Sequence, residues 1–204
     1  MKAPILLVAA ALLLASCSKM AEAIVDKATS PTPTGQFIKY TIEKGNQYCN
    51  NNSLKAIETT EMKFAVKFDS TAIYETMSPE NQYDINKLYG FSDNNSNHHQ
   101  YSARFGWRWS DKALRLFAYV YNEGAVLSKE LTTIAIGEEI NCSIKVTGSN
   151  YLFTVNGVST QLPRLATTEK AKGYQLYPYF GGDETAPHQV NIWIGPLSPG
   201  GGSR

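Results

Sequence analysis

From Phe37 onward, apolar and polar residues alternate in short runs, a pattern typical of half-buried β-strands. In residues 61–69 the alternating apolar side chains are separated by charged ones, and later strands are predicted at residues 174–180 and 188–194. The sequence shows no convincing amphipathic helix and no internal repeat of fixed period. Short strands separated by turns indicate an all-β fold, a sandwich or a jelly roll.

The clearest strand pairing lies in residues 141–163, where Gly148-Ser149 and Asn156-Gly157 have the composition of two-residue hairpin turns. The first turn sets a register in which apolar residues face apolar residues across the hairpin. The pairs are Val146 with Tyr151, Ile144 with Phe153 and Cys142 with Val155. The exception to strands is residues 78–87, where Pro79 suits the first position of a helical turn.

Residues 101–109 predict a strand with two different faces. One face carries Tyr101, Ala103, Phe105, Trp107 and Trp109, and the other carries Ser102, Arg104, Gly106 and Arg108. Pairing its apolar face with that of residues 114–121 puts Arg108 opposite Arg115, Arg104 opposite Tyr119, and Ser102 opposite Tyr121. Facing arginines repel unless a carboxylate lies between them, from Glu61, Asp69, Glu123 or a ligand. A solvated outer face, with arginines stacked on tyrosines, is the alternative.

The first residues predict export rather than a folded element. A charged start, a short apolar run and Leu14-Ala15-Ser16-Cys17 are typical of a secretory signal. The four residues 14–17 resemble the lipobox of bacterial lipoproteins. We therefore expect a signal peptide at 1–16 and a lipidated Cys17 that anchors the protein in a membrane of the bacterial cell envelope. An ordinary signal peptide cut near Ala15, or an uncleaved anchor, is the alternative.

Composition divides the rest of the chain. Residues 17–35 are polar and rich in proline and threonine, which suits a flexible tether, and residues 198–204 suit a flexible tail. Residues 36–197 remain as one domain. The net charge of +1 gives no bulk attraction to nucleic acid.

Cysteines and acidic residues give no sign of a metal or other cofactor. Cys49 and Cys142 either form a disulfide in an oxidising compartment or pack as two buried thiols. Their spacing fits neither a redox motif nor a zinc site. The loop Gly181-Gly182-Asp183-Glu184 lacks the evenly spaced oxygen ligands of a calcium loop. We expect no cofactor.

Three segments together resemble a known family. They are Lys87-Leu88-Tyr89-Gly90, Ser102-Ala103-Arg104-Phe105-Gly106-Trp107-Arg108, and Leu116-Phe117-Ala118-Tyr119-Val120-Tyr121. In this order they resemble polysaccharide lyase 14 and the related glucuronan lyases, as does Phe180-Gly181-Gly182 before a final strand. The resemblance implies a concanavalin-like jelly-roll sandwich of two antiparallel sheets. The chain departs from the family's pattern where it lacks Pro-Gly after Lys87 and has Gly106 in place of methionine.

The resemblance also implies roles for five residues that line the groove of such lyases. These are Lys87, Ser102, Arg104, Tyr119 and Tyr121. The implied reaction is β-elimination on a uronic acid chain: an arginine neutralises the carboxylate, a tyrosine or lysine takes the C5 proton, and a second phenol protonates the leaving oxygen.

Further substrate-binding candidates are Arg108, Arg115, His99, Tyr177 and Tyr179. His98 and His99, if on a strand, point to opposite sides, so they are poor joint metal ligands. One of them facing the groove would suit a base, and two histidines of a surface loop are the alternative. We expect a lipid-anchored protein of the outer membrane or cell surface that engages an acidic polysaccharide on its concave sheet. Three alternatives stay open: cleavage of that polymer, binding without cleavage, and a structural role.

Overall fold

The computed structural model describes residues 36–196. The predicted signal peptide, Cys17, the tether and the C-terminal tail lie outside this range. Within it, no helix is both long and apolar enough to span a membrane.

The domain consists of twelve strands and two short 3-10 helices, Ser70–Ala72 and Pro79–Tyr83. The strands are β1 Ile38–Ile42, β2 Ala56–Thr59, β3 Glu61–Phe68, β4 Asn86–Ser92, β5 Tyr101–Ser110, β6 Ala113–Asn122, β7 Ala125–Ile134, β8 Glu139–Thr147, β9 Asn150–Val155, β10 Val158–Pro163, β11 Ala171–Leu176 and β12 Val190–Pro196. The predicted helical turn is thus a 3-10 helix, with Pro79 in its first turn.

The strands form two antiparallel sheets of six. The first has the order β1-β12-β3-β8-β9-β10, and the second has the order β2-β11-β4-β5-β6-β7. Consecutive strands pair from β4 to β7 and from β8 to β10, whereas the other neighbours, such as β1 and β12, come from distant parts of the chain, as in a jelly roll. The predicted all-β sandwich of two antiparallel sheets is confirmed.

Both predicted registers are confirmed. In the second sheet, β5 and β6 pair Trp107 with Leu116 and Arg104 with Tyr119. In the first sheet, β8 and β9 pair Ile144 with Phe153. The apolar faces of both sheets meet in one core, in which Trp107, Phe64 and Phe153 are fully buried. The face of β5 that carries Arg104 therefore points away from the other sheet.

A buried ion pair joins the two sheets at one end. Asp93 follows β4, Arg164 follows β10, and Arg164 Nε donates to Asp93 Oδ2 at 2.8 Å. The hydroxyl of Tyr151 donates to the same oxygen at 2.6 Å. Burial alone would raise the pKa of Asp93, but these hydrogen bonds outweigh it and lower that pKa below its ordinary value.

Of the two alternatives for Cys49 and Cys142, the structure has the buried thiols and not the disulfide, because both cysteines are free and buried. Cys142 lies on β8, whereas Asn50, the neighbour of Cys49, bonds to Thr41 on β1. Two strands, β12 and β3, separate β1 from β8, which corresponds to about 14 Å at ordinary strand spacing. A disulfide requires its Cα atoms to lie within about 7 Å.

Candidate functional site

The outer face of the second sheet is recessed where β4, β5 and β6 meet. Although Arg104 and Tyr119 point away from the core, their exposed fractions are only 6% and 8%. A cavity of about 420 Å³ opens beside them. Its wall consists of Lys87, His98, His99, Arg104, Tyr121, Tyr179, Gly181 and Gly182.

Arg104 is the most unusual group in this wall. Its Nε is buried without a hydrogen-bond partner among the residues that the structure describes, and no carboxylate in that range lies within 4.0 Å of its guanidinium. Burial lowers its pKa to about 10, so it remains a cation at neutral pH. A buried, unpaired guanidinium is costly for the fold and is suited to receive an external anion.

Lys87 supplies a second cation to the same cavity. Its Nζ donates to the carbonyl of Gly181 at 2.8 Å. Burial, and then the charge of Arg104, lower the pKa of Lys87 to about 8. A measurable fraction of Lys87 is therefore neutral in mildly alkaline solution, and its lone pair is then available to a ligand.

Tyr119 lies against both cations. Its ring centroid is 5.6 Å from the guanidinium carbon of Arg104 and 5.3 Å from Lys87 Nζ, which are cation–π distances. Tyr119 is not among the residues that line the cavity, and burial raises the pKa of its phenol. Its catalytic role stays a prediction, and what the structure shows is a ring that packs against both cations.

The position of Ser102 does not support the catalytic role predicted for it. It is fully buried, and its hydroxyl donates to the backbone carbonyl of His98 at 2.8 Å. Because Ser102 faces Tyr121 on β6 and Ser92 on β4, it lies in the middle of the sheet. The hydroxyl therefore holds the turn before β5 and does not reach the cavity.

The two histidines lie in that turn, because β5 begins only at Tyr101. Their rings are 4.2 Å apart, and both line the cavity instead of pointing to opposite sides as on a strand. Burial, followed by Arg104 and His99, lowers the pKa of His98 to about 4, so His98 is neutral at neutral pH. Nδ1 of His98 lies 2.8 Å from the hydroxyl of Tyr174.

Two phenols complete the wall. Tyr121 packs against the rings of His99 and Tyr119, with centroid distances of 5.4 Å and 5.8 Å. The hydroxyl of Tyr179 donates to Gln47 Oε1 at 2.6 Å, so its proton is already engaged. Of the two phenols that line the cavity, Tyr121 is therefore the candidate proton donor.

The glycine loop closes the cavity and is held by polar side chains. Gly181 N–H donates to Asn86 Oδ1 at 2.6 Å. A side chain at Gly182 would overlap the carboxylate of Asp84, which would have to move aside. The Glu184 carboxylate accepts from the backbone N–H groups of Met77 and Ser78 at 2.8 Å each, which leaves it engaged within the protein. In the described residues, no group of three His, Cys, Asp or Glu side chains is placed to hold a metal ion.

Three predicted binding residues lie elsewhere. Arg108 donates to the Tyr83 carbonyl and to Ser110 Oγ. Arg115 is neutralised by Asp111 at 3.3 Å and by Glu130 at 2.8 Å, so its carboxylates come from these residues and not from the predicted ones. The third residue is Tyr177.

Tyr177 and Tyr179 have different surroundings, because β11 ends at Leu176 and the strand alternation ends there. The ring of Tyr177 packs at the edge of the core, with centroid distances of 5.9 Å to Tyr40 and 6.0 Å to Tyr89. Of the pair, only Tyr179 reaches the cavity. Sequence periodicity could not distinguish them, because the segment that follows β11 is irregular.

Sequence reasoning also missed Tyr174, because only the pairing of β11 with β4 in the folded sheet brings it to His98. Asn86 and Gln47 were missed as well, because only the folded chain brings them to the glycine loop. These side chains position other groups, and no sequence pattern predicts which residues do so.

No family model matches the sequence, and no curated protein matches it significantly. Solved structures are similar in fold. The alginate lyase AlyC3 matches with a TM-score of 0.56 and 10% identity over 79% of this chain and 74% of that one. Its complex with dimannuronate gives the same TM-score of 0.56. The catalytic domain of an endo-1,3-β-glucanase (laminarinase) from Thermotoga petrophila has a TM-score of 0.50 and 10% identity, covering 79% of this chain and 75% of that one. The polysaccharide-lyase-like jelly roll expected from the sequence is thereby confirmed as a fold.

Proposed function

We propose that the cavity binds a uronic acid residue of an acidic polysaccharide and that the protein cleaves this polymer by β-elimination. The observation that carries the proposal is the buried, unpaired guanidinium of Arg104, next to a second cation, Lys87. A carboxylate is the ligand that a guanidinium fork binds in two-point fashion.

The same wall supplies the groups that β-elimination needs. Arg104 neutralises the C6 carboxylate, which makes the C5 proton more acidic. Neutral Lys87 takes that proton, and the electron pair of the C5–H bond forms the C4–C5 double bond while the C4–O4 bond breaks. The phenol of Tyr121 then protonates the departing O4. The products are a new chain end and an unsaturated uronic acid.

Two comparisons support this choice of substrate. A solved structure with the same fold is a complex of an alginate lyase with dimannuronate, a uronic acid disaccharide. The segments that carry the resemblance to uronate lyases also supply Lys87, Arg104 and Tyr121 to one cavity. Lectin-like binding without cleavage uses the same carboxylate contacts and differs only in the absence of product.

The test is incubation of the protein with glucuronan, alginate and their carboxyl-reduced forms. We expect the ultraviolet absorbance of an unsaturated uronic acid to appear only with the acidic polymers. Arg104→Lys should abolish it, whereas Arg108→Lys, on the same face of the same strand but outside the cavity, should retain it. Retarded migration in a polymer gel without any product would reduce the function to binding. Unchanged migration and no product would refute the proposal.

We further propose that the protein acts from the cell envelope, tethered through a lipidated Cys17. The support is the sequence Leu14-Ala15-Ser16-Cys17 after an apolar run. Labelled palmitate should enter the protein in its host and be lost in Cys17→Ser. A wild-type protein that stays unlabelled would refute this location while leaving the chemistry of the cavity untouched.

A further inference from the structure

His98 is held on three sides. Its carbonyl accepts from Ser102 Oγ at 2.8 Å, its backbone N–H donates to Tyr174 Oη at 3.1 Å, and its Nδ1 lies 2.8 Å from the same oxygen. Tyr174 is fixed in turn, since its own N–H donates to Ser92 Oγ at 2.9 Å. So many constraints on one ring in a turn indicate that its orientation matters.

The bonds at Tyr174 select one tautomer of the imidazole. The phenol oxygen already accepts the N–H of His98, so its own proton is free to be donated to Nδ1. Nδ1 is then the acceptor, and Nε2 carries the proton. The opposite tautomer would make the phenol oxygen accept twice and leave its proton without an acceptor in the described range.

Nε2 is left open to the cavity. No residue in the described range bonds it, and it is not among the buried polar atoms that lack a partner. The groups that face the ring from neighbouring elements are Arg104 on β5, His99 in the same turn and Tyr174 on β11. With one cation beside it and no described carboxylate paired to it, the ring stays neutral.

We propose that His98 is a substrate-binding residue that donates Nε2–H to the carboxylate held by Arg104, and that Ser102 and Tyr174 are its positioning residues. This deepens the proposed function and rests on it. A ring whose Nε2 already carries a proton cannot take the C5 proton there, so His98 is not the base. Lys87 retains that role.

The tautomer is tested without any activity. In ¹⁵N-labelled full-length protein at neutral pH, the nitrogen shifts of His98 should show a protonated Nε2 and an unprotonated Nδ1. Tyr174→Phe should remove this preference, and Tyr179→Phe should leave it intact. A protonated Nδ1 in the wild type, or an unchanged tautomer in Tyr174→Phe, would overturn the positioning role.

The donor role is tested by two substitutions. The amide of His98→Gln places an N–H near the position of Nε2 but cannot act as a base at neutral pH. His98→Gln should therefore keep kcat/KM within about tenfold, whereas His98→Ala should lose about 10- to 100-fold, mainly through KM, as expected for one hydrogen bond to a charged group. A kcat abolished equally in both variants would identify a base and refute the proposal.

If no polymer is cleaved, the same pair is compared by calorimetric titration with a saturated oligoglucuronate. Binding retained in His98→Gln and weakened in His98→Ala supports the donor role even when β-elimination fails. No binding to the wild type overturns the carboxylate contact together with the proposed function, while the nitrogen shifts still decide the tautomer.

Discussion

Replacing Arg104 by methionine should stabilise the fold and abolish activity at once. Replacing a buried residue in a sheet usually lowers the stability of the protein. Arg104 differs, because it is a cation with an exposed fraction of 6% and no carboxylate partner in the described residues. The unbranched side chain of methionine fills a similar space without the charge. The folded domain would therefore be relieved of an unfavourable burial.

The magnitude follows from the pKa. Burial lowers the pKa of Arg104 from 12.5 to about 10. Each tenfold change in an equilibrium constant corresponds to about 1.4 kcal/mol, so holding the charged form at neutral pH costs the folded state about 3 kcal/mol. Losing the cation–π contact with Tyr119 destabilises the variant by about 0.5–2 kcal/mol, which reduces the gain. The net expectation is a gain of about 1–2.5 kcal/mol, in the range seen when buried charges are replaced by apolar residues.

Urea unfolding at neutral pH measures this difference, provided that the m-value is the same in both proteins. Arg108→Met is the matched control, because Arg108 donates to the Tyr83 carbonyl at 2.8 Å and its loss should leave stability unchanged or lower it. The absorbance of unsaturated product should disappear in Arg104→Met and persist in the control. A loss of stability greater than about 1 kcal/mol in Arg104→Met would show that the arginine serves the fold, and the reasoning would be wrong.

Three other predictions follow from the same structure. With the pKa of Lys87 at about 8, kcat/KM should rise as pH increases through that value, because the neutral amine is the base; a flat profile would exclude Lys87. Gly90→Ala should remove activity and stability together, since its new Cβ would overlap the Ala103 carbonyl and lie 2.5 Å from Arg104 Cα; a normal activity would contradict this packing. Asp93→Asn should cost about 3–5 kcal/mol in urea unfolding at neutral pH, because it leaves Arg164 charged and buried. Since the folded pKa of Asp93 lies below its unfolded value of about 3.9, the aspartate's contribution is present above that pH and is lost as pH falls through the folded value.

The two sheet registers could be predicted from different signals. For β5 and β6, alternation assigns every side chain of residues 101–109 to a face, and a slip of one residue would bury Arg104 or Arg108 in the core. For β8, β9 and β10, the turns add a second constraint, since Gly148, Asn156 and Gly157 adopt the positive φ that tight hairpins require. Neither register needed knowledge of the rest of the fold.

The candidate site was less predictable, because its decisive contacts join distant segments that lack periodicity. Lys87 and Arg104 were found by resemblance, but the resemblance also suggested a catalytic Ser102, whose hydroxyl is engaged by the backbone of His98. Likewise, the carboxylate that neutralises Arg115 comes from β7, an exposed edge strand whose sequence gives no hint of its pairing. Where a side chain's partner is a backbone group in a loop, sequence alone does not reveal it.

If the cavity binds a polysaccharide as proposed, its charges favour an acidic polymer. Arg104 and Lys87 share one aromatic support, and each is disfavoured as a cation by burial, with Arg104 adding to the effect at Lys87. A neutral sugar entering the cavity would displace water from both cations without supplying an anion, which deepens the desolvation cost. A uronate instead brings a negative charge to Arg104, which has no carboxylate partner among the described residues, so its binding would offset part of the cost of burying that cation. This difference would favour acidic over neutral glycans, which a purely aromatic groove on the same fold would not do.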